Sequence, residues 1–307
     1  MTWDARHLPS QVGRTIVVTG AGRGVGYFVA EQLAATGARV ILTTRSATDG
    51  ERAAASIRAR VPAALLETVV LDLASLASIR EAAPLLREFA PIHVLINNAG
   101  KTSGSRRRET TADGLEIMVG TNAYGAFALT ALLLPALAPD ARIIGLGSMA
   151  TRLARADLTD LEQARSGYSV SKAYAYSKHA AHAYVFELDR RLRASGSGIR
   201  SLLAHPGFAV DGNNEALRPG ISDRTSAGQR FAERLMRPVA HGKDRGAWPV
   251  VRAAIDPDAA GGEFYGPRRS VTGPPVVIQP VPQSADPAFG AEFWRLAEQA
   301  TGITFEV

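Results

Sequence analysis

Arg14-Thr15-Ile16-Val17-Val18-Thr19-Gly20-Ala21-Gly22-Arg23-Gly24-Val25-Gly26 is the stretch on which the reading of this chain turns. An apolar, β-branched run leads straight into a cluster of glycines, which predicts a buried strand ending in a tight turn. From Gly24 to Thr36 the apolar residues recur at helical spacing, and Gly37 closes that helix, as glycine does at C-termini. A glycine turn between a strand and a helix lets backbone approach a pyrophosphate closely. It also aims the free N–H groups of a helix N-terminus at the negative charge. Gly20, Gly24 and Gly26 are the glycines such a turn needs, with Arg23 and Val25 between them. A glycine-rich turn is a weak signal by itself, and its place between strand and helix strengthens it.

The pattern repeats outward from there. Arg39 to Thr43 predicts a second strand, and an Ala-rich helix follows to about Val61, where Pro62 stops it. Leu65 to Leu71 is a third strand, and Ser75 caps a helix holding Ile79 and Leu86 that Pro91 ends. Ile92 to Ile96 runs into Asn97-Asn98-Ala99-Gly100, then a long helix is expected from about Ala112 to Leu137. Arg142 to Leu146 ends at Gly147-Ser148, a helix spans Val170 to Ala194, and Ile199 to Ala204 ends at Pro206-Gly207. Strands that alternate with helices and read as unbroken apolar runs belong to a parallel sheet covered on both faces. The fold class is therefore α/β, a doubly wound parallel sheet of Rossmann type, with ligands beyond the carboxyl ends of the strands. Thr19, Thr44, Asp72, Asn98, Ser148 and Pro206 all fall at those ends.

One domain is expected over 1–307, with a dinucleotide-binding and catalytic core at 13–207, a substrate flap at 208–245, and C-terminal helices and tail at 246–307. The flap reading rests on the Gly, Asn, Pro and Ser of Asp211 to Gly228 and on the apolar Leu217, Phe231, Leu235 and Met236. After it come a helix from Gly246 to Ile255, a short strand at Glu263-Phe264-Tyr265, a Pro-rich stretch and a last helix around Phe293 and Leu296.

Composition narrows the classes of function. Hydrophobic residues make up 46% and charged residues 21% of 307, ordinary for a globular protein with a sizeable core. The most apolar stretch, Phe127 to Ala138, is shorter than the roughly 20 residues a bilayer requires. Asp4, Arg6 and His7 do not read as a secretory signal, so a cytoplasmic protein with no membrane span is expected. The absence of cysteine removes disulfides, a thiolate nucleophile and cysteine metal sites. A formal charge of +6 raises nucleic acid as a partner, but the basic residues are scattered. Their one tight cluster, Arg106-Arg107-Arg108, follows a loop-like stretch and reads as a solvated loop rather than an anion contact at a pocket mouth. No nucleic-acid motif is present. His179, His182, His205 and His241 lack the companions of a metal set, so they read as surface or packing residues and no metal is expected.

The end of the second strand selects the cofactor. Thr43-Thr44-Arg45 offers none of the carboxylates that hold an NAD ribose, whereas Arg45 and Arg23 suit a 2′-phosphate. NADP(H) is the expected cofactor, against the plainer reading of an arginine exposed after a strand. Asp72-Leu73 could reach adenine, and Asn98-Ala99-Gly100 could wall the cofactor. Each also has an ordinary reading as helix start or turn.

Tyr174 and Lys178 share one face of the helix from Val170. A tyrosine pKa near 10 must fall by roughly 3 units, about 4 kcal/mol, before the phenol can exchange a proton near neutrality. A neighbouring ammonium and a positive nicotinamide ring both push it that way. Ser148 can polarise a substrate oxygen, and Asn122 can hold a water that relays protons. Tyr168 and Lys172 have the same spacing, and periodicity separates the pairs. Tyr174 and Lys178 continue into apolar Ala181, Val185, Leu188 and Leu192, while Tyr168 and Lys172 run toward His179, His182, Phe186 and Arg190.

Thr19-Gly20 with Gly24 and Gly26, Asp72-Leu73, Asn97-Asn98-Ala99-Gly100, Asn122, Ser148, Tyr174 with Lys178, and Pro206-Gly207 together resemble the short-chain dehydrogenase/reductase family from Gly13 to Gly207. The run from Asn122, the long interval between Ser148 and Tyr174, and Tyr174-Ala175-Tyr176-Ser177-Lys178 are similar to its retinol-dehydrogenase-like and WW-oxidoreductase-like branch. That register also selects Tyr174 over Tyr168. The resemblance implies Tyr174 as acid and base, Lys178 as its pKa modifier and ribose anchor, Ser148 as donor to the substrate oxygen and Asn122 as water holder. Cofactor contacts would come from Gly20, Arg23, Gly24, Val25, Gly26, Thr44, Arg45, Asp72, Leu73, Asn98, Ala99, Gly100, Tyr174, Lys178, Pro206 and Gly207. The implied activity is NADP(H)-dependent hydride transfer with a carbonyl or alcohol of an apolar small molecule, in a homodimer or homotetramer that the C-terminal tail could block or remake.

Two departures stand out. Asp211 lies where the branch carries a threonine near the pyrophosphate, so the loop is expected to run differently. The missing cysteine argues against the light-driven chemistry of the related protochlorophyllide reductases. A non-catalytic NADP(H)-binding regulator or scaffold is the alternative, with Asp211 its one support. An epimerase or enoyl reductase fits the glycine and Tyr–Lys spacings less well.

Overall fold

In the computed structural model, residues 3–307 are described except 217, 219, 222–225 and 237–238. Leu217 of the expected flap therefore lies outside the described residues. Strand and helix alternate as β1 (Thr15–Thr19), α1 (Gly24–Ala34), β2 (Arg39–Thr44), α2 (Ala47–Arg58), β3 (Leu65–Val70), α3 (Leu76–Arg87) and β4 (Ile92–Asn97). A helical run follows, made of α4 (Ile117–Val119), a π-helical turn (Gly120–Tyr124), α5 (Gly125–Leu133) and a 3-10 turn (Leu134–Ala136). Then come β5 (Leu137–Leu146), α6 (Val170–Ala194) and β6 (Arg200–Ala204). The remainder holds β7 (Ala209–Val210), α7 (Ala227–Leu235), β8 (His241–Gly242), α8 (Lys243–Gly246), α9 (Trp248–Ile255), β9 (Phe264–Pro267), β10 (Pro275–Ile278), α10 (Pro282–Ala285) and α11 (Pro287–Thr301).

The main sheet is ordered β3-β2-β1-β4-β5-β6-β9-β10, and β10 is its antiparallel member. β1 pairs with β2 on one side and β4 on the other, so the strand order reverses there, where a doubly wound sheet opens a crevice for ligand. All five residues of β1 are buried, and its side chains alternate between the two faces. Ile16 and Val18 join Phe28, Leu33 and Val250 on one side, while Val17 joins Ile41, Leu95 and Leu129 on the other.

Several boundaries differ from the sequence expectation for local reasons. The helix expected from Ala112 begins at Ile117, because the Glu116 carboxylate accepts the N–H groups of Met118 and Val119 at 3.0 and 2.8 Å and caps it there. β5 starts five residues before Arg142, since Leu137 already pairs with Ile92 across an irregular stretch containing Pro139. The Pro-rich stretch supplies β10, an edge position that tolerates proline. Ile117–Ala136 is one apolar helical run of 20 residues, long enough by length and composition to cross a bilayer, unlike the shorter Phe127 to Ala138. Of its most apolar 18-residue window 72% is buried inside the fold, and the run packs against α3, α6 and α11.

α11 lies over α6 and α5 through aromatic packing. Trp294 meets Phe127 edge-on at 5.0 Å and Phe305 at 4.8 Å, and the Arg191 guanidinium sits 4.3 Å from its ring. Truncation at this fully buried site leaves a cavity that rigid helices cannot close. We expect Trp294→Ala to cost ~3–5 kcal/mol in urea unfolding. A loss below ~1 kcal/mol would mean that α11 is marginal to the core.

Candidate active site

The glycine turn after β1 is shaped by its neighbours. Gly20 and Gly24 have φ of 66° and 64°, values that favour glycine. A Cβ on Gly26 would fall 2.2 Å from Nδ2 of Asn98 and 2.5 Å from the Gly20 carbonyl, so α1 packs onto the turn with no room for a side chain. Asn98 acts from behind the turn, donating to the Thr19 carbonyl at 2.8 Å, while Thr19 Oγ1 accepts from Ala99 N–H at 2.9 Å. Arg23 is the N-cap residue of α1 without a side-chain cap, leaving the first N–H groups of the helix open. This cradle fits a dinucleotide pyrophosphate.

At the end of β2, Thr44 is buried and its hydroxyl donates to the Ser46 carbonyl at 2.7 Å, so it shapes the turn. Arg23 and Arg45 are both exposed, and neither is in an ion pair among the described residues. Two free guanidinium groups beside the crevice fit a 2′-phosphate. Asp72 accepts from Ala74 N–H at 3.0 Å, the ordinary helix-start role, and Leu73 is buried beneath Gly125. Gly207 has φ of 70°, and its N–H donates to Nδ1 of His205 at 3.1 Å, which fixes the turn after Pro206.

Tyr174, Lys178 and Ser148 come together at the carboxyl end of β5. The Ser148 hydroxyl lies close enough to the Tyr174 phenol to favour its ionised form. Lys178 Nζ lies 5.9 Å from the centre of the Tyr174 ring and donates to the Leu146 carbonyl at 2.8 Å. Burial pushes the Lys178 ammonium down from 10.5 to about 8. The phenol is raised above its ordinary value of 10, chiefly by burial, and the neighbouring Ser148 hydroxyl opposes that rise. The protein groups alone thus do not produce the downward shift expected from the sequence. The ammonium bonds a carbonyl rather than the phenol, and desolvation wins. At neutral pH Tyr174 holds its proton.

Asn122 stands within the π-helical turn, a distortion that is frequent at functional sites. Its Nδ2 donates to the Lys101 carbonyl and to Ser177 Oγ, both at 2.9 Å, and its Oδ1 accepts from Lys101 N–H at 2.7 Å. Ser177 donates in turn to the Tyr174 carbonyl at 2.8 Å. Asn122 therefore clamps the loop after β4 onto the first turns of α6. Ser177 is a link the sequence reading missed, although it lies inside the Tyr–Lys interval.

Tyr168 precedes α6, so helical spacing to Lys172 does not apply to it. Its hydroxyl donates to Glu116 at 3.1 Å. The contrast between an apolar and a polar line along α6, on which periodicity separates the two pairs, is not borne out. His179, His182 and Phe186 are buried as well, because α10, α11 and β9 cover that side of the helix. All four histidines are buried, and no group of three His, Asp or Glu that could hold a metal occurs among the described residues. Arg108 pairs with Glu162 at 3.0 Å, while Arg106 and Arg107 remain exposed.

Asp211 is not the unbalanced charge the sequence suggests. Lys243 Nζ lies 2.5 Å from its carboxylate, at the pairing of β7 with β8. On α7, Phe231, Leu235 and, just beyond, Met236 are exposed rather than turned into an interior.

The displaced Lys178 pKa has a stability consequence whose sign is fixed. Between pH 8 and 10.5 the unfolded chain binds the proton that the folded chain has lost, so this group's contribution to stability rises with pH. Below pH 8 its buried charge costs about 3 kcal/mol. We expect Lys178→Met to unfold at a urea midpoint equal to or above the parent's at pH 7, with the gap closing toward pH 10. A variant clearly less stable at pH 7 would show that the Leu146 hydrogen bond outweighs burial.

Comparison with known proteins matches the architecture. The family model described as short chain dehydrogenase matches residues 14–220. Human retinol dehydrogenase 13 is 33% identical over 299 residues, 95% of this chain and 85% of that protein. The crystal structure of an uncharacterized protein from Mycobacterium paratuberculosis is 36% identical with a TM-score of 0.81, covering 100% of both chains. A Pseudomonas aeruginosa RhlG/NADP active-site complex is 26% identical with a TM-score of 0.60, covering 84% of this chain and 95% of that one. With the glycine cradle, the switch point and the Ser148–Tyr174–Lys178 cluster on one sheet edge, the chain belongs to the short-chain dehydrogenase/reductase family, in its retinol-dehydrogenase-like branch.

Proposed function

We propose that this protein is an NADP(H)-dependent oxidoreductase that interconverts a carbonyl and an alcohol on an apolar small molecule. The reading is carried by a protonated Tyr174 phenol beside the Ser148 hydroxyl and flanked by the buried Lys178 ammonium. The nicotinamide, when bound, supplies or accepts the hydride. The Ser148 hydroxyl donates to the substrate oxygen and orients it toward the phenol. The Tyr174 hydroxyl gives its proton to that oxygen during reduction and takes it back during oxidation. Lys178 steadies the phenolate left behind, a charge it meets in a site largely shielded from water. Asn122, through Lys101 and Ser177, keeps α6 in place.

The preference for NADP(H) is supported by Arg23 and Arg45 and by the NADP bound in the RhlG complex. The apolar substrate is supported by the name of the human relative and by exposed Phe208 and Val271, which are joined by a backbone hydrogen bond just past Pro206-Gly207.

A panel of apolar aldehydes and ketones, followed by NADPH absorbance, tests the activity. We expect Tyr174→Phe to lose ~10³-fold or more in kcat while still binding NADPH, in line with removal of a general acid. Unchanged turnover in that variant would remove Tyr174 from the mechanism. For the cofactor, Arg45→Asp should shift the NADPH/NADH ratio of kcat/KM toward NADH by ~10-fold or more, as a carboxylate there repels the 2′-phosphate and accepts from a ribose hydroxyl. An unaltered ratio in both Arg45→Asp and Arg23→Ala would refute the 2′-phosphate assignment.

A further inference from the structure

We infer that His182 is a positioning residue that fixes the direction of the Ser148 hydroxyl, an inference that rests on the activity proposed above. Tyr174, Lys178 and His182 follow one another at intervals of four along α6 and so lie in one line. All three grip the end of β5. Tyr174 meets the Ser148 hydroxyl, Lys178 donates to the Leu146 carbonyl at 2.8 Å, and His182 Nε2 accepts the Ser148 N–H at 3.1 Å. The other bonds to Ser148 are local. Ala150 N–H donates to its hydroxyl at 3.1 Å, and Thr151 Oγ1 donates to its carbonyl at 3.2 Å. Those bonds shape the turn but move with it. The His182 bond ties its backbone to the helix that bears the phenol.

An imidazole can accept this hydrogen bond only when neutral. His182 is fully buried, and the titratable groups facing it are Lys178, His179 and His205. Burial first, and then those neighbours, hold it well below its ordinary pKa. With Nε2 as acceptor the proton resides on Nδ1, which has no hydrogen-bond partner among the described residues. A leucine would fill the same volume without stranding a polar atom, so packing does not account for the imidazole. The surroundings are fitted to the ring. A Cβ on Gly147 would lie 2.6 Å from Nε2, and Phe264 meets the imidazole edge-on at 5.1 Å.

The test compares the full-length parent with His182→Leu and His182→Gln, since a glutamine oxygen reaches about as far as Nε2. His182→Leu should lower kcat by ~10–100-fold, the scale of a misplaced reacting group, while His182→Gln recovers most of it. The NADPH Kd should stay within about threefold in both, which separates aim from cofactor binding. Unchanged kcat in the leucine variant, a glutamine variant no better than leucine, or a loss that tracks NADPH affinity would each overturn the inference. A second measurement needs no turnover: ¹⁵N-histidine NMR of the parent should show His182 as the Nδ1–H tautomer. The Nε2–H tautomer would refute the acceptor role whatever the activity. A parent inactive on the whole carbonyl panel would instead sink the proposed function, and the tautomer would still decide where His182 points.

Discussion

A positive charge is held out of water one helical turn from the phenol, and much of the surrounding structure exists to keep it there. Among the described residues the Lys178 ammonium donates to the Leu146 carbonyl and pairs with no carboxylate, so its charge is not neutralised on the spot. In a site of low effective dielectric such a cation acts strongly on whatever negative charge appears beside it. That is what the proposed proton exchange at Tyr174 requires of its surroundings. The same cation helps hold His182 neutral, so one constraint sets the protonation of two neighbouring groups.

Keeping the ammonium in place depends on packing far from the chemistry. α6 is buried along most of its length, against β5 and β6 on one side and α10, α11 and the π-helical turn on the others. Because the helix is clamped all round, residues at intervals of four along it can address successive atoms of the β5 terminus. His205 does for the neighbouring strand what His182 does for β5, accepting the Gly207 N–H, and its ring also lies against Phe264 at 5.3 Å. Burial lowers His205 to about 4, so it remains an acceptor through the neutral range. Two strand-end turns are thus set by two uncharged imidazoles that share a phenylalanine from β9.

The legible part of this arrangement was the part with local rules. β1 and its glycine turn, the caps at Ser75 and Gly37, and the interval between Tyr174 and Lys178 depend on neighbours in sequence, and they stand where expected. What stayed hidden depends on partners distant in sequence. Asn122 owes its π-helical setting and its hydrogen bonds to Lys101 and Ser177, 21 and 55 residues away. β10 opens on Pro275, directly after Pro274, and these prolines mask the strand until its edge position is known. Periodicity places His182 on the polar side of α6 because it counts the apolar stripe as the only buried face. The spacing from Tyr174 through Lys178 to His182 was visible all along, but nothing local says that a helix will be enclosed.

Asp211 shows how a long-range partner can reverse a functional argument. Read alone, a carboxylate near the pyrophosphate disfavours cofactor, and it was the sole support for a chain that keeps the fold without turnover. Its partner lies 32 residues on, where β8 gives way to α8 and brings Lys243 to 2.5 Å. A half-buried ion pair presents little net field to an anion beyond it, and the ammonium can share itself with a phosphate oxygen. The repulsion that would have excluded the cofactor is balanced within the loop itself. With that objection removed, the protonated phenol, the serine and the buried ammonium favour the proposed catalysis over a scaffold role.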